Sequence, residues 1–242
     1  MIPAPRRAMV LAAGLGLRLR PLTERVPKPL VEIGGRPLIA YALDLLVAAG
    51  VHEIVVNAHH LAEQLADFIE RHGRAHAGVA LHLSREAVLL ETGGGVLNAL
   101  PLLGARPFFV LNSDVIVRDG TRPLLARLAD AFEPAHMDAL LLLQPVERAF
   151  GYDGRGDYRL KDDGRLDARG AAATAPYVFT GAQVLAPALF DGIAPGVFSL
   201  RRLYDRAEAA GRLYGIVHDG AWLHVGTPEA VAEAEHALKR VS

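Results

Sequence analysis

The chain has 242 residues, 51% of them hydrophobic and 22% charged, which excludes a disordered or fibrous chain and allows a core that needs no staple. Cysteine is absent, so disulfide frameworks, thiolate zinc sites and cysteine nucleophiles are excluded. A net charge of −1 excludes a bulk electrostatic grip on nucleic acid.

Arg6 and Arg7 precede no apolar run long enough for a signal peptide, and nothing approaches the roughly 18 unbroken apolar residues of a membrane span. The expectation is a cytoplasmic protein with no membrane partner. Residues 8–13 (AMVLAA) read as a buried strand. Residues 37–49 carry a helical stripe, with Pro37 suited to the first helical position and Gly50 to the position past the end. Residues 53–58 (EIVVNA) are the next strand, and Leu61, Leu65, Phe68 and Ile69 mark a helix. Strands follow at 79–83, 107–111 and 139–143, separated by helices over 94–103 and 121–132. Uniformly apolar strands alternating with helices imply an α/β fold: a mostly parallel sheet covered by helices on both faces.

The second half changes character. Residues 151–176 are rich in Gly, Asp and Arg and read as a loop or hairpin. A strand is expected over 177–185 and a helix over 200–210. Short strands over 213–217 and 222–225 are open to antiparallel pairing. Thr227 and Pro228 cap and start a last helix. No linker, repeat or low-complexity tract divides the chain, so one domain over 1–242 is expected.

The strongest motif is Leu11 to Leu30, LAAGLGLRLRPLTERVPKPL. A strand runs into Gly14 and Gly16, where the missing Cβ lets backbone N–H groups close around phosphate oxygens. Leu19 stands where a dinucleotide fingerprint needs glycine, which argues against a dinucleotide-dependent oxidoreductase. The lysine comes only at Lys28, too late for a Walker A loop. Pro21, Pro27 and Pro29 keep a helix from starting, leaving a long loop that bears Arg18, Arg20, Arg25 and Lys28. In open parallel sheets ligands sit beyond the carboxyl ends of strands. In FFVLNSDV (residues 108–115) a strand stops at Asn-Ser-Asp, and Asp114 there either holds Mg²⁺ against phosphates or makes an Asx turn. ETGGG (91–95) precedes a helix that Thr92 could cap, its glycines admitting a ligand or making a simple turn. In WLHVGT (222–227), His224 is a metal or phosphate contact or a core histidine.

These motifs resemble the sugar-1-phosphate nucleotidyltransferases, also called nucleoside-diphosphate-sugar pyrophosphorylases. The matching residues are Gly14-Leu15-Gly16-Leu17-Arg18, Pro27-Lys28-Pro29, Asn112-Ser113-Asp114 and Gly226-Thr227-Pro228. ETGGG together with Gly154-Arg155-Gly156-Asp157-Tyr158 resembles the N-acetylmuramate 1-phosphate uridylyltransferases of cell-wall sugar recycling. Related short enzymes use mannose, heptose or glucose 1-phosphates with other nucleotides.

The resemblance implies a Rossmann-like, GT-A-like nucleotidyltransferase fold with a nucleotide-binding half (1–145) and a sugar-phosphate half (146–242). It implies that an NTP and a sugar 1-phosphate give an NDP-sugar and pyrophosphate, with Mg²⁺ as cofactor and room for a homodimer. Arg18, Lys28 and Asp114 would be catalytic. Leu11, Ala12, Ala13, Gly14, Gly16, Arg18, Lys28, Thr92 and Gly93 would bind the nucleotide. Asn112, Gly156, Asp157, Thr180 and Gly181 would bind the sugar, and Asp114 and His224 the metal. Two departures stand out. His224 occupies the place of the family's second metal aspartate, so Asp114 with waters, or a nearby acid such as Asp219, would hold the ion, or the chain is a weakly active nucleotide-sugar-binding regulatory subunit. The sugar-phosphate lysine has no clear match, with Lys161, Arg159 or another arginine as candidates.

Overall fold

The computed structural model of the protein describes residues 3–76 and 78–241. Met1, at the start of the domain expected over 1–242, and Ser242, at its end, lie outside the described residues. The chain opens with β1 (Arg7–Leu11), a two-residue pair β2 (Glu32–Ile33) and β3 (Arg36–Pro37), and α1 (Leu38–Ala48). Then come β4 (Glu53–Ala58), α2 (Ala62–Ala75), β5 (Ala80–Arg85), α3 (Glu91–Leu103), β6 (Phe108–Asn112), β7 (Val115–Val117) and α4 (Leu124–Ala131). The second half holds β8 (Ala139–Pro145), β9 (Ala149–Phe150), the hairpin β10 (Tyr158–Leu160) and β11 (Leu166–Ala168), and β12 (Tyr177–Leu185). It ends with α5 (Arg201–Ala209), β13 (Leu213–Val217), β14 (Trp222–His224) and α6 (Pro228–Val241).

The nine-stranded sheet has the order β11-β10-β12-β6-β1-β4-β5, with β8 also on β12 and β13 on β8. β6, β1, β4 and β5 are mutually parallel, as are β8 and β13. β12 runs against both β6 and β8, and β11 against β10. The sheet is therefore mixed, with most strands in one direction. Nothing in the apolar run of β12 predicted its reversal, because a strand buried on both faces reads the same either way.

Side chains alternate between two cores. Ala8 and Val10 of β1 join α1, α2 and α4 on one face, whereas Met9 joins α3 and α5 on the other. A third cluster seats α6 against Ile33, Leu38 and Leu223. Among the described residues no helix is long and apolar enough to cross a membrane.

Several local expectations are corrected. Pro37 stands at the N-cap of α1, not its first turn, while Gly50 past the end takes φ +76° as expected. α3 begins at Glu91, so ETGGG forms its first turn and does not precede it. β13 and β14 do not pair with each other: β13 lies parallel to β8, and β14 bridges β7 and β9 in a separate small sheet. Thr227 caps α6 by accepting the Ala230 N–H at 3.3 Å.

Candidate active site

β1 and β6 end side by side, and their ends are tied together. The Ser113 hydroxyl donates to the Leu11 carbonyl at 2.7 Å, and the Ala12 N–H donates to Asn57 Oδ1 at 2.7 Å. The chain then leaves β1 through the glycine loop. Gly16 takes φ +64°, and a Cβ there would lie 2.8 Å from Thr23 Cγ2, so glycine is what lets the loop fold back on itself. Thr23 holds that fold by donating to the Gly16 carbonyl at 2.8 Å.

The folded loop delivers Lys28 to the strand end of β6. Its Nζ lies 2.7 Å from Asp114 Oδ2, with the side chains 12% and 30% exposed. Burial pushes the Asp114 carboxyl up, but the Lys28 ammonium, with help from His224, outweighs it and holds the group below the usual carboxylate range. Asp114 is therefore ionised at neutral pH.

The small sheet brings His224 to the same place, because β14 pairs with β7 and sets His224 opposite Val115. The imidazole stacks on Trp222, ring centroids 5.9 Å apart and ring planes nearly parallel. Burial lowers its pKa; Asp114 opposes this and Lys28 and Arg18 add to it, leaving the ring neutral at pH 7. Arg18 reaches the same corner: a Cβ on Gly226 would lie 3.3 Å from His224 Nε2 and 3.4 Å from Arg18 Nη1.

Lys28 and Asp114 line the first of two adjoining cavities, and Arg18 and His224 stand outside the walls of both. One, of about 350 Å³, is lined by Leu11 to Gly14, Lys28, Asn57, Thr92 and Asp114, with Asn112 and Ser199 at its edge. The other, of about 240 Å³, shares Leu11, Thr92, Asn112 and Ser199 and continues past Asp157, Gln183 and Arg201. Arg201 is the one cation lining it among the described residues. Asp157 Oδ2 accepts the Phe179 N–H at 3.0 Å, and the Tyr204 hydroxyl donates to Gln183 at 2.7 Å.

The structure thus brings together Leu11, Ala12, Ala13, Gly14, Lys28, Thr92, Asn112, Asp114 and Asp157 on the cavity walls. It gives other expected residues different surroundings. A Cβ on Gly93 would lie 2.4 Å from the Phe198 ring, and the Gly93 and Gly94 N–H groups donate to the Phe198 carbonyl at 2.9 and 3.0 Å. Gly93 and Gly94 admit the chain's own 196–198 segment, and Gly95 admits the Glu86 and Asn57 side chains. Thr92 does not cap the helix: its hydroxyl accepts the Leu200 N–H at 2.9 Å. Gly156 packs on the Ala175 carbonyl, Thr180 is fully buried and donates to Leu142, and Gly181 gives space to the Asn112 side chain.

The three candidates named for the two departures lie elsewhere. Asp219 accepts the Thr121 hydroxyl and amide, and Arg127 pairs with it. Lys161 pairs with Asp167 at 2.7 Å, and Arg159 donates to the Thr174 carbonyl at 3.2 Å. None of the three lines either cavity.

Sequence reasoning missed Glu91, Glu86 and Arg201. Glu91 lines the first cavity at φ +59°, a strained conformation for a side chain with a Cβ. Buried Glu86 accepts from Asn57 Nδ2 at 2.7 Å and from the Leu90 N–H at 2.9 Å, fixing one wall of that cavity. No local pattern announces such long-range bonds. Only the ETGGG glycines hinted that something packs closely there.

Asp114 offers the hard oxygen that Mg²⁺ requires, and Mg²⁺ commonly uses one or two carboxylates plus substrate phosphates. The donor set at this strand end therefore fits a divalent hard cation, with His224 the poorer donor for it.

Known proteins bear on this geometry. The family model described as nucleotidyl transferase matches residues 7–158. The N-acetylmuramate alpha-1-phosphate uridylyltransferase of Caulobacter vibrioides is 42% identical over 98% of this chain and 99% of that protein. Its namesake in Neisseria meningitidis serogroup B is 39% identical over 95% and 96%. A crystal structure of UDP-glucose pyrophosphorylase with UDP-glucose superposes with a TM-score of 0.80 at 18% identity, covering 98% of this chain and 99% of that one, and so shows the shared fold. With the strand-end loop, the aspartate and the full-length likeness in agreement, the chain belongs to the nucleotidyl transferase family as a sugar-1-phosphate nucleotidyltransferase.

Proposed function

We propose that the protein joins UTP to N-acetylmuramate α-1-phosphate, giving the UDP-sugar and pyrophosphate. The observation that carries the reading is the Lys28–Asp114 pair, set in the wall of the larger cavity at the ends of β1 and β6, with the smaller cavity adjoining through Leu11, Thr92, Asn112 and Ser199. The substrates are those named for the two full-length relatives.

In this reading the uracil and ribose lie in the larger cavity against residues 11–14 and Thr92, with the triphosphate running along the loop. The sugar phosphate enters from the smaller cavity. One of its oxygens attacks the α-phosphorus; the bond from that phosphorus to the β-phosphate oxygen breaks, and its electron pair leaves on pyrophosphate. No protein nucleophile is required, so the residues act by positioning and by neutralising charge. Lys28 faces the α-phosphate and Arg18 the leaving pyrophosphate. Asp114 would hold Mg²⁺, which when bound supplies further neutralisation of the phosphates. Neutral His224 stacked on Trp222 places no second negative charge beside them.

Arg201 suits the sugar. N-acetylmuramate carries a lactyl carboxylate that N-acetylglucosamine lacks, and a guanidinium forks onto a carboxylate. The Arg201 Nε donates to Asp205 at 2.7 Å, which aims the side chain and leaves its outer nitrogens available.

Pyrophosphate release with a panel of nucleotides and sugar 1-phosphates tests the reading. Turnover is expected with UTP and N-acetylmuramate 1-phosphate. Turnover confined to GTP and mannose 1-phosphate would overturn the substrate assignment, and no turnover with any pair would overturn the chemistry.

A further inference from the structure

Far from both cavities, α2 carries two histidines one turn apart. His72 and His76 stack with ring centroids 4.2 Å apart, and Asp44 of α1 faces them. One ligand-type atom from each of the three lies within 4.8 Å of the other two, and no other described residues form such a group of three or more. His-x-x-x-His on one helix face is the spacing that lets two imidazoles share a cation.

Two further observations point to a ligand. His72 Nε2 is buried and has no hydrogen-bond partner among the described residues. A buried ring nitrogen without a partner is an unmet demand that a metal bond would satisfy. His76 Nδ1 lies 3.0 Å from the His72 carbonyl. That bond places the proton on Nδ1 and leaves the lone pair on Nε2, the tautomer a carbonyl partner fixes in a metal-ligating histidine.

Asp44 pairs with Arg36, and both side chains are more than two-fifths exposed. Such a surface pair is weak, so a dication can displace the guanidinium. Arg36 keeps its place over the Tyr41 ring, 4.9 Å from the centroid. We propose that Asp44, His72 and His76 form a binding site for a borderline transition-metal dication of the Zn²⁺ class. Two imidazoles and one carboxylate leave a fourth position for water. The same donor set disfavours Mg²⁺, which separates this site chemically from Asp114.

The test is titration of the metal-free full chain with Zn²⁺ by calorimetry, and with Co²⁺ by visible absorption, where a tetrahedral site gives intense d–d bands. One equivalent is expected at micromolar affinity or tighter, with a raised Tm because the ion binds the folded chain. His76→Ala and Asp44→Asn should each weaken binding at least about tenfold. His224→Ala and His82→Ala should each retain the equivalent, because those histidines also stand beside a carboxylate but outside the group of three. The more buried His72 is probed by His72→Gln, checked for folding by circular dichroism. Absence of a bound equivalent, binding unmoved by His76→Ala, or loss of the equivalent in His224→Ala would each overturn the site.

Discussion

At the scale of single residues, the proposed chemistry rests on a carboxylate whose charge is held in place by a lysine 86 positions earlier in the chain. Asp114→Asn keeps an acceptor for Lys28 but removes the charge. Turnover is expected to fall by about 100-fold or more, with an unchanged circular dichroism spectrum. His224→Asp supplies the second hard oxygen, so the Mg²⁺ concentration for half-maximal rate should fall; an unchanged concentration would contradict a metal site at this strand end. Lys28 and Asp114 were legible because a lysine between two prolines and an aspartate at a strand stop are unusual placements. Gly93, Gly156 and Thr180 were read as ligand contacts, and in the structure each packs closely against the chain itself. A glycine needed for close approach looks the same in sequence whether a ligand or another strand approaches.

At the scale of elements, continuous apolar runs made β4, β12 and β13 legible to the residue. The start of α3 was less legible, because its cap comes from the distant Phe198 carbonyl. Gly94 is the tightest point of that contact: a Cβ would lie 2.2 Å from the Gly196 carbonyl oxygen, a backbone atom that cannot swing aside. Gly94→Ala is expected to destabilise the protein by about 1–3 kcal/mol in urea denaturation and to loosen the wall that Ser199 and Arg201 supply. The turn between β13 and β14 is fixed by Asp219. The Thr121 hydroxyl and amide hydrogen bonds, with Arg127, hold its carboxyl at about 2 against an ordinary 3.8. A depressed carboxyl contributes stability that is fully present above its unfolded pKa. Asp219→Asn should therefore lower Tm at pH 7. The difference from the parent should shrink as pH falls through 3.8 toward about 2.

At the scale of the whole molecule, one sheet presents two adjoining cavities along its strand ends, and the Lys28–Asp114 pair lines the larger of them. The α/β class and its two covered faces were legible from the alternation of apolar strands and helices. The order β12-β6-β1 was not, because pairing of strands about 70 and about 100 residues apart depends on contacts that no local window contains. The same holds for Arg201, which meets the cavity only through the docking of α5. Arg201→Ala is expected to raise KM for N-acetylmuramate 1-phosphate by roughly 10- to 100-fold and to leave KM for UTP nearly unchanged. Loss of both together would point to a collapsed wall. If the loop after β1 wraps the phosphates of a nucleotide, a crystal structure with UTP and Mg²⁺ will show the base against residues 11–14 and Thr92, with the α-phosphate beside Lys28 and the ion on Asp114. A nucleotide bound anywhere else, with Arg18 and Lys28 turned to bulk water, would contradict it.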